Sequence, residues 1–294
     1  MSVPALQITS LTKRFGTTTA VDALTLAVER GEVFGFLGPN GAGKSTTIRL
    51  ILNLLRPDAG EVTIMGVPAA DVAKAHRHVA YVPGEVALWP ALTGRETLHL
   101  LGNLSGRVDA AYREHLIERL HLDPDVRVRA YSKGNRQKLA LIAAFMTRSD
   151  VLLLDEPTAG LDPLMEEEFQ SLAREAARRG QTVFLSSHIL AEVEDLCSRV
   201  AILRAGRLVE LATLADLRRL GTTVFEAVLD GPVPDLAGIA GISRVEPFAG
   251  GVRVSMAGPP GPLLTRLGEA GIARLRSHEP SLEEIFLGYY GDAA

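Results

Sequence analysis

The chain has 294 residues, room for about two domains, and is 47% apolar and 22% charged, which excludes a disordered chain. Its formal net charge is −4, and all of that deficit lies in the last 74 residues, which hold nine acids and five bases. Neither part has the basic surplus of a general nucleic-acid binder, so no nucleic-acid partner is expected.

The N-terminal stretch MSVPALQITSLTKRFG lacks the apolar core of a signal peptide. Cys197 is the only cysteine, so no intrachain disulfide can form and a reducing compartment is expected. Residues 6–12 and 24–28 read as short strands with TKRFGTTTA as the turn region between them. GEVFGFLG (31–38) reads as a buried strand running into a Gly-rich loop and then the helix STTIRLILNLL. Pro57, Asp58 and Gly60 mark a turn before the strand EVTIM. From about 86 to 147 the character is helical, and Thr93 with Glu96 forms a T-x-x-E capping box. Strands return at VLLLD (151–155) and TVFLSS (182–187), separated by the helix PLMEEEFQSLAREAARRG. Strands alternating with helices predict a mostly parallel, doubly wound α/β core carrying a helical insert.

Beyond residue 220 the pattern resets. TVFEAVL, SRVEPF, VRVSM and ARLRSH read as strands, and DLAGIAG and GPLLTRLGEA as short helices. The order β-α-β-β-α-β predicts a small ferredoxin-like α+β domain over 221–294, closed by an amphipathic helix SLEEIFLGYY. No internal repeat or low-complexity segment is visible.

GPNGAGKST (38–46) fits G-x-x-x-x-G-K-[ST] between a strand and a helix. In that pattern backbone N–H groups of Gly38, Pro39, Asn40, Gly41, Ala42 and Gly43, proline excepted, and of Thr46 close around phosphate at a helix N-terminus. Lys44 reaches the β- and γ-phosphates and Ser45 binds Mg²⁺. Asp155, ending VLLLD, can hold Mg²⁺ through water, and Glu156 is the candidate general base for an attacking water. Acids at strand ends are common, and it is the phosphate loop that gives these two a role. SSH (186–188) ends a further apolar strand and places His188 at the same edge, where it can contact the γ-phosphate; a lone histidine there is otherwise a polar strand cap. His76 and His78 are expected to face solvent.

The phosphate loop, then YSKGNRQ (131–137), VLLLDEPTAGLD and SSH, in that order, resembles the ATP-binding cassette of ABC transporters over residues 5 to about 217. YSKGNRQ falls where that family keeps its signature, usually LSGGQ, with Ser132 and Gly134 retained and Lys133 and Asn135 substituted. The resemblance implies that Asp162 belongs to the D-loop and that Phe15 stacks on adenine; Phe15 as an ordinary core residue stays open. It implies ATP and Mg²⁺ as cofactors. It implies, too, that two subunits pair head to tail, with Ser132, Lys133, Gly134 and Asn135 of one chain facing the ATP of the other. The family's glutamine after the strand VAYV is absent: Gly84 stands there, followed by Glu85.

The fold expected is thus a P-loop ATPase of the ABC type over 1–220 with its insert at about 86–147. The expected function is the ATP-hydrolysing subunit of an exporter driving a separate transmembrane permease from the cytoplasmic face of the plasma membrane. The tail resembles the C-terminal extension of bacterial drug and lipid exporters. A soluble ABC ATPase acting on ribosomes or DNA is the alternative, though such proteins usually carry two cassettes or a long coiled-coil insert. A P-loop metabolic kinase would leave YSKGNRQ and SSH unexplained.

Overall fold

Val33–Leu37, Val151–Asp155 and Thr182–Ser187 are buried at every position. That is the pattern of central strands in a parallel sheet covered on both faces. The computed structural model describes residues 3–106, 108–220 and 223–278. It divides into two compact units, Met1–Ala212 and Thr213–Ala294.

The first unit opens with a hairpin, β1 (Leu6–Phe15) and β2 (Thr18–Val28), which joins β4 (Ala59–Ile64) and β5 (Val67–Pro68) in an antiparallel sheet of order β2-β1-β4-β5. The hairpin is longer than the sequence reading. Its strands run through TKRFGTTTA, with register shifts between Ile8 and Arg14, and turn only at Gly16, which has φ 57°. The second sheet, order β10-β9-β3-β8-β7-β6, contains β3 (Val33–Leu37), β6 (Val79–Val82), β7 (Val151–Asp155), β8 (Thr182–Ser187), β9 (Arg199–Arg204) and β10 (Arg207–Thr213). Strands β9, β3, β8, β7 and β6 pair in parallel.

Helices α1 (Lys44–Ile51), α2 (Val72–Ala75), α6 (Pro163–Arg178) and α7 (Leu190–Leu196) connect these strands. The core between the layers holds Phe34, Phe36 and Phe184, all fully buried, with Phe34 stacked on Phe184 at 5.8 Å. Each such ring contributes about 1.5–3 kcal/mol of burial. Gly35 belongs to the same packing: a Cβ there would lie 2.7 Å from Val193 and 3.2 Å from the sulfur of Cys197. Cys197 is itself buried, and burial pushes its thiol far above the usual range, Glu32 and Glu192 adding to the shift.

The helical block consists of α3 (Gly94–Ser105), α4 (Ala110–Arg119) and α5 (Lys133–Phe145). Helix α3 starts on the expected reciprocal cap: Glu96 N–H donates to Thr93 Oγ1 at 3.2 Å, and Thr93 N–H to Glu96 Oε2 at 2.8 Å. Arg119 ties α4 to α6 by donating to Glu168, to Glu175 at 2.9 Å and to Ser171 at 3.2 Å. The histidines expected in solvent are half-buried and engaged. His76 Nε2 is 2.9 Å from the Leu52 carbonyl, and His78 Nδ1 is 2.7 Å from Asp150. The positions of their partners, 24 and 72 residues away, leave no local signal in the sequence.

The second unit begins with α8 (Leu214–Leu220) and builds β11 (Thr223–Leu229), β12 (Ile242–Phe248), β13 (Gly251–Met256), α9 (Gly261–Glu269) and β14 (Ile272–His278). Its sheet has the order β12-β13-β11-β14, with every neighbouring pair antiparallel. Alternate residues Phe225, Ala227, Leu229 and Val252, Val254, Met256 face α9 through Leu263 and Leu267. The helix predicted over DLAGIAG does not form. Gly238 and Gly241 take φ 84° and 91°, left-handed positions that end any helical turn. The helix predicted at SLEEIFLGYY lies outside the described residues.

Candidate functional site

Because five strands run parallel, their C-terminal ends emerge on one edge of the sheet, where ligands of such sheets are held. Leu37 pairs with Ser187, Asp155 with Ser186, and Val82 with Leu154. That register brings the loop after Leu37, the pair Asp155–Glu156, His188 and Gly84 to the same edge.

The loop 38–43 is shaped by its glycines. A Cβ on Gly38 would sit 2.7 Å from the Leu203 carbonyl, and one on Gly43, at φ 104°, would collide with the Ala20 carbonyl. Gly43 occupies the N-cap of α1, no side chain caps that helix, and its first turn has no acidic residue. The N–H groups there suit an anion. Lys44 is only 5% exposed; its ammonium donates to the Gly38 carbonyl at 2.6 Å and the Pro39 carbonyl at 3.2 Å, with Glu156 at 3.8 Å. Burial pushes its pKa down, and Glu156 and then Asp155 pull it back up. Pro39, Asn40 and Gly41 are exposed, while Ser45 and Thr46 are half-buried in the first turn of α1.

Asp155 is buried and accepts a 2.5 Å hydrogen bond from Ser186 Oγ. Glu156 has φ 48°, a left-handed backbone unusual for a non-glycine residue and frequent where function requires strain. Its N–H donates to the Ser186 carbonyl at 3.1 Å. Its carboxylate lies 3.1 Å from His188 Nδ1, so Lys44, Glu156 and His188 form one continuous row. Among the described residues no three carboxylate, histidine or cysteine side chains form a metal cage. A magnesium ion held mainly by phosphate oxygens and water needs no such cage.

Gly84 stands directly against Asp155: a Cβ at 84 would meet the Asp155 carboxylate at 3.6 Å, ordinary contact distance. Position 84 thus has room for a side chain beside Asp155, and glycine supplies none. Glu85 is exposed. If Glu85 takes the part of the missing glutamine, Glu85→Ala is expected to lower the ATPase rate or its coupling to transport by about tenfold, the low end for a residue behind a metal ligand. Val86→Ala and Leu88→Ala should do less. Wild-type hydrolysis and transport in Glu85→Ala would assign that place to water.

The YSKGNRQ segment starts α5. Ser132 is its N-cap, accepting from Asn135 N–H at 3.1 Å. Ser132 and Lys133 are exposed and Asn135 is half-buried. Gly134 abuts the D-loop of its own chain, where a Cβ would lie 2.6 Å from the Gly160 carbonyl, and the stem of Lys133 lies along Gly160. Tyr131 is buried, with its hydroxyl donating to the Asp123 carbonyl at 2.5 Å; burial and then Asp123 push its pKa up to about 12. Asp162 caps α6 by accepting from Met165 N–H at 3.1 Å. Phe15, at the end of β1, is 47% exposed rather than part of the core, with Lys13 Nζ 5.6 Å from its ring centre.

The family profile described as ABC transporter matches residues 21–159. The linearmycin resistance ATP-binding protein LnrL of Bacillus subtilis is 31% identical over 97% of this chain and 98% of its own. The chain belongs to the ABC transporter ATP-binding proteins. This ABC ATPase is also 34% identical to Nod factor export ATP-binding protein I of Rhizobium etli, over 99% of this chain and 95% of that one. A solved structure of the ATP binding subunit of an ABC transporter superposes with a TM-score of 0.69 at 33% identity, covering 74% of this chain and 92% of that one.

Several side chains of the ABC ATPase site escaped the sequence reading. Ser186 holds Asp155, and buried Gln137 donates from Nε2 to the Pro157 carbonyl at 2.8 Å, fastening α5 to the loop after Glu156. Buried Thr158 and Glu192 meet at 2.6 Å. Ser186 and Gln137 sat inside motifs already noted. Glu192 had no comparable signal, being one of three acids in the stretch ILAEVEDLC (189–197).

Proposed function

We propose that the chain is the ATP-hydrolysing subunit of an exporter, working on a separate transmembrane permease from the cytoplasmic face of the membrane. One observation carries this reading. Proteins named for drug resistance and Nod factor export match along 97% and 99% of the chain, the last 74 residues included. Among the described residues no helix is long and apolar enough to cross a membrane.

In this reading the N–H groups of the loop 38–43 and the Lys44 ammonium hold the phosphates of ATP, and Phe15 stacks on its base. Ser45 and Asp155 would hold Mg²⁺, which would supply neutralisation of the charge developing on the phosphates. Glu156 draws the proton from the attacking water, and His188, fixed against the Glu156 carboxylate, holds that geometry. Ser132, Lys133, Gly134 and Asn135 face the ATP of a second copy or a related subunit. The second unit, with its order β12-β13-β11-β14, is a ferredoxin-like sheet in which a loop replaces the first helix.

The test is Mg-ATP hydrolysis by the purified chain, followed by a search of the neighbouring genes for a six-helix membrane protein and co-expression with it. Steady phosphate release and recovery of the chain with that protein in the membrane fraction are expected. Absence of hydrolysis both alone and with the membrane protein would sink the reading.

A further inference from the structure

A buried carboxylate with no cationic partner calls for an explanation, and Glu192 is one. It is 9% exposed on α7 and makes no ion pair with a described residue. Its two oxygens are divided between two loops. Oε1 accepts from Thr158 Oγ1 at 2.6 Å, and Oε2 accepts from Ser187 Oγ at 2.8 Å. Thr158 lies two residues after Glu156, in the turn closed by Ala159 N–H on the Glu156 carbonyl at 3.1 Å and by Leu161 N–H on the Thr158 carbonyl at 2.9 Å. Ser187 precedes His188, and its hydroxyl also accepts from Ile189 N–H at 2.9 Å, closing a turn with His188 at its tip.

We infer that Glu192 is a positioning residue: by joining the hydroxyls of Thr158 and Ser187 it sets where His188 stands against Glu156. The inference rests on the assignment of Glu156 and His188 to hydrolysis. The chemistry favours a carboxylate for this task. Each hydroxyl has a single proton to donate, and a carboxylate alone among short side chains offers two acceptor oxygens with no donor to compete. Hydrogen bonds to a charged acceptor are shorter and stronger than neutral ones, so they resist the opening of either turn. Mere filling of the space would be done at lower cost by an apolar side chain, since a buried charge without a cation carries a desolvation penalty. Placement in the first turn of α7 offsets part of it. The distance that this staple protects is the 3.1 Å between His188 Nδ1 and Glu156 Oε1.

The experiment compares the full chain with Glu192→Gln, Glu192→Ala, His188→Ala and the Glu192→Gln/His188→Ala double variant. It measures kcat and KM for Mg-ATP, single-turnover phosphate release and the thermal midpoint. Glu192→Gln keeps the shape but replaces one acceptor by a donor. It is expected to lower kcat about tenfold while KM for ATP stays within about twofold. In the His188→Ala background the same change should cost nothing further, because Glu192 acts through that histidine. If Glu192→Ala fails to fold, Ser187→Ala and Thr158→Val, which each cut one arm, should show part of the same kcat loss.

Wild-type kcat in Glu192→Gln overturns the inference. So does a loss that multiplies with that of His188→Ala, or a KM rise that tracks a lowered midpoint. Normal turnover in His188→Ala and Glu156→Gln instead removes the site assignment itself, so the two failures are told apart.

Discussion

Glu156→Gln is expected to bind ATP as the wild type does and to hydrolyse it about 10²–10⁴-fold more slowly, the usual loss for a positioned base. The amide cannot take a proton from water, yet it has the shape of the carboxylate and can still meet His188 Nδ1, 3.1 Å away in the wild type. The left-handed backbone at Glu156 is held by Ser186 and is untouched by the change. With ATP bound and not consumed, the variant should accumulate as a dimer, which sedimentation with and without Mg-ATP will detect. Near wild-type hydrolysis would take the role of base away from Glu156.

Mixing two inactive variants should restore activity if each site is shared between chains. Lys44→Ala removes the buried ammonium of the phosphate loop, and Gly134→Asp places a carboxylate at the N-terminus of α5, where it opposes phosphate. In their heterodimer one site keeps both a sound loop and a sound signature. A chain carrying both changes, paired with wild type, keeps none. Phosphate release from the first heterodimer alone supports shared sites. Release from the second alone means that each chain uses its own signature.

The contact of Gly134 with Gly160 adds a control, because any Cβ at 134 presses on the D-loop of the same chain at 2.6 Å. Gly134→Ala brings that pressure without the charge. Phosphate repulsion is the cause where Gly134→Ala keeps most of the activity that Gly134→Asp loses.

The parallel core was legible because its strands carry unbroken apolar runs that stop at polar residues, as in VLLLD and TVFLSS. The loop 38–43 was legible for the same reason: its glycines sit where backbone must approach backbone. Hidden from the sequence were features decided by distant partners. The hairpin β1–β2 continues through polar residues, where Lys13 pairs with Val21 and Phe15 with Thr18, and Asp58, 44 residues away, accepts from Arg14 N–H at 2.6 Å. DLAGIAG has helical spacing of apolar residues, yet two left-handed glycines override it. Glu192 shows its use only once folding has set Thr158, 34 residues away, against it. Of segment 131–137 the fold of one chain accounts for the capping of α5 by Ser132; the part proposed for it at a second chain's ATP waits on the mixing experiment.

The burial of the lone thiol has a practical consequence for watching this protein move. Thiolate is the form that reacts with maleimides and spin labels, and Cys197 is both hidden and held protonated. The native chain is thus silent toward such reagents under gentle conditions. A cysteine placed at exposed Leu164 would be the one labelled position, with no need to remove the natural thiol and disturb its packing against Gly35. Probes on two copies at such a position would report whether the subunits approach and separate during turnover, with the core unmodified.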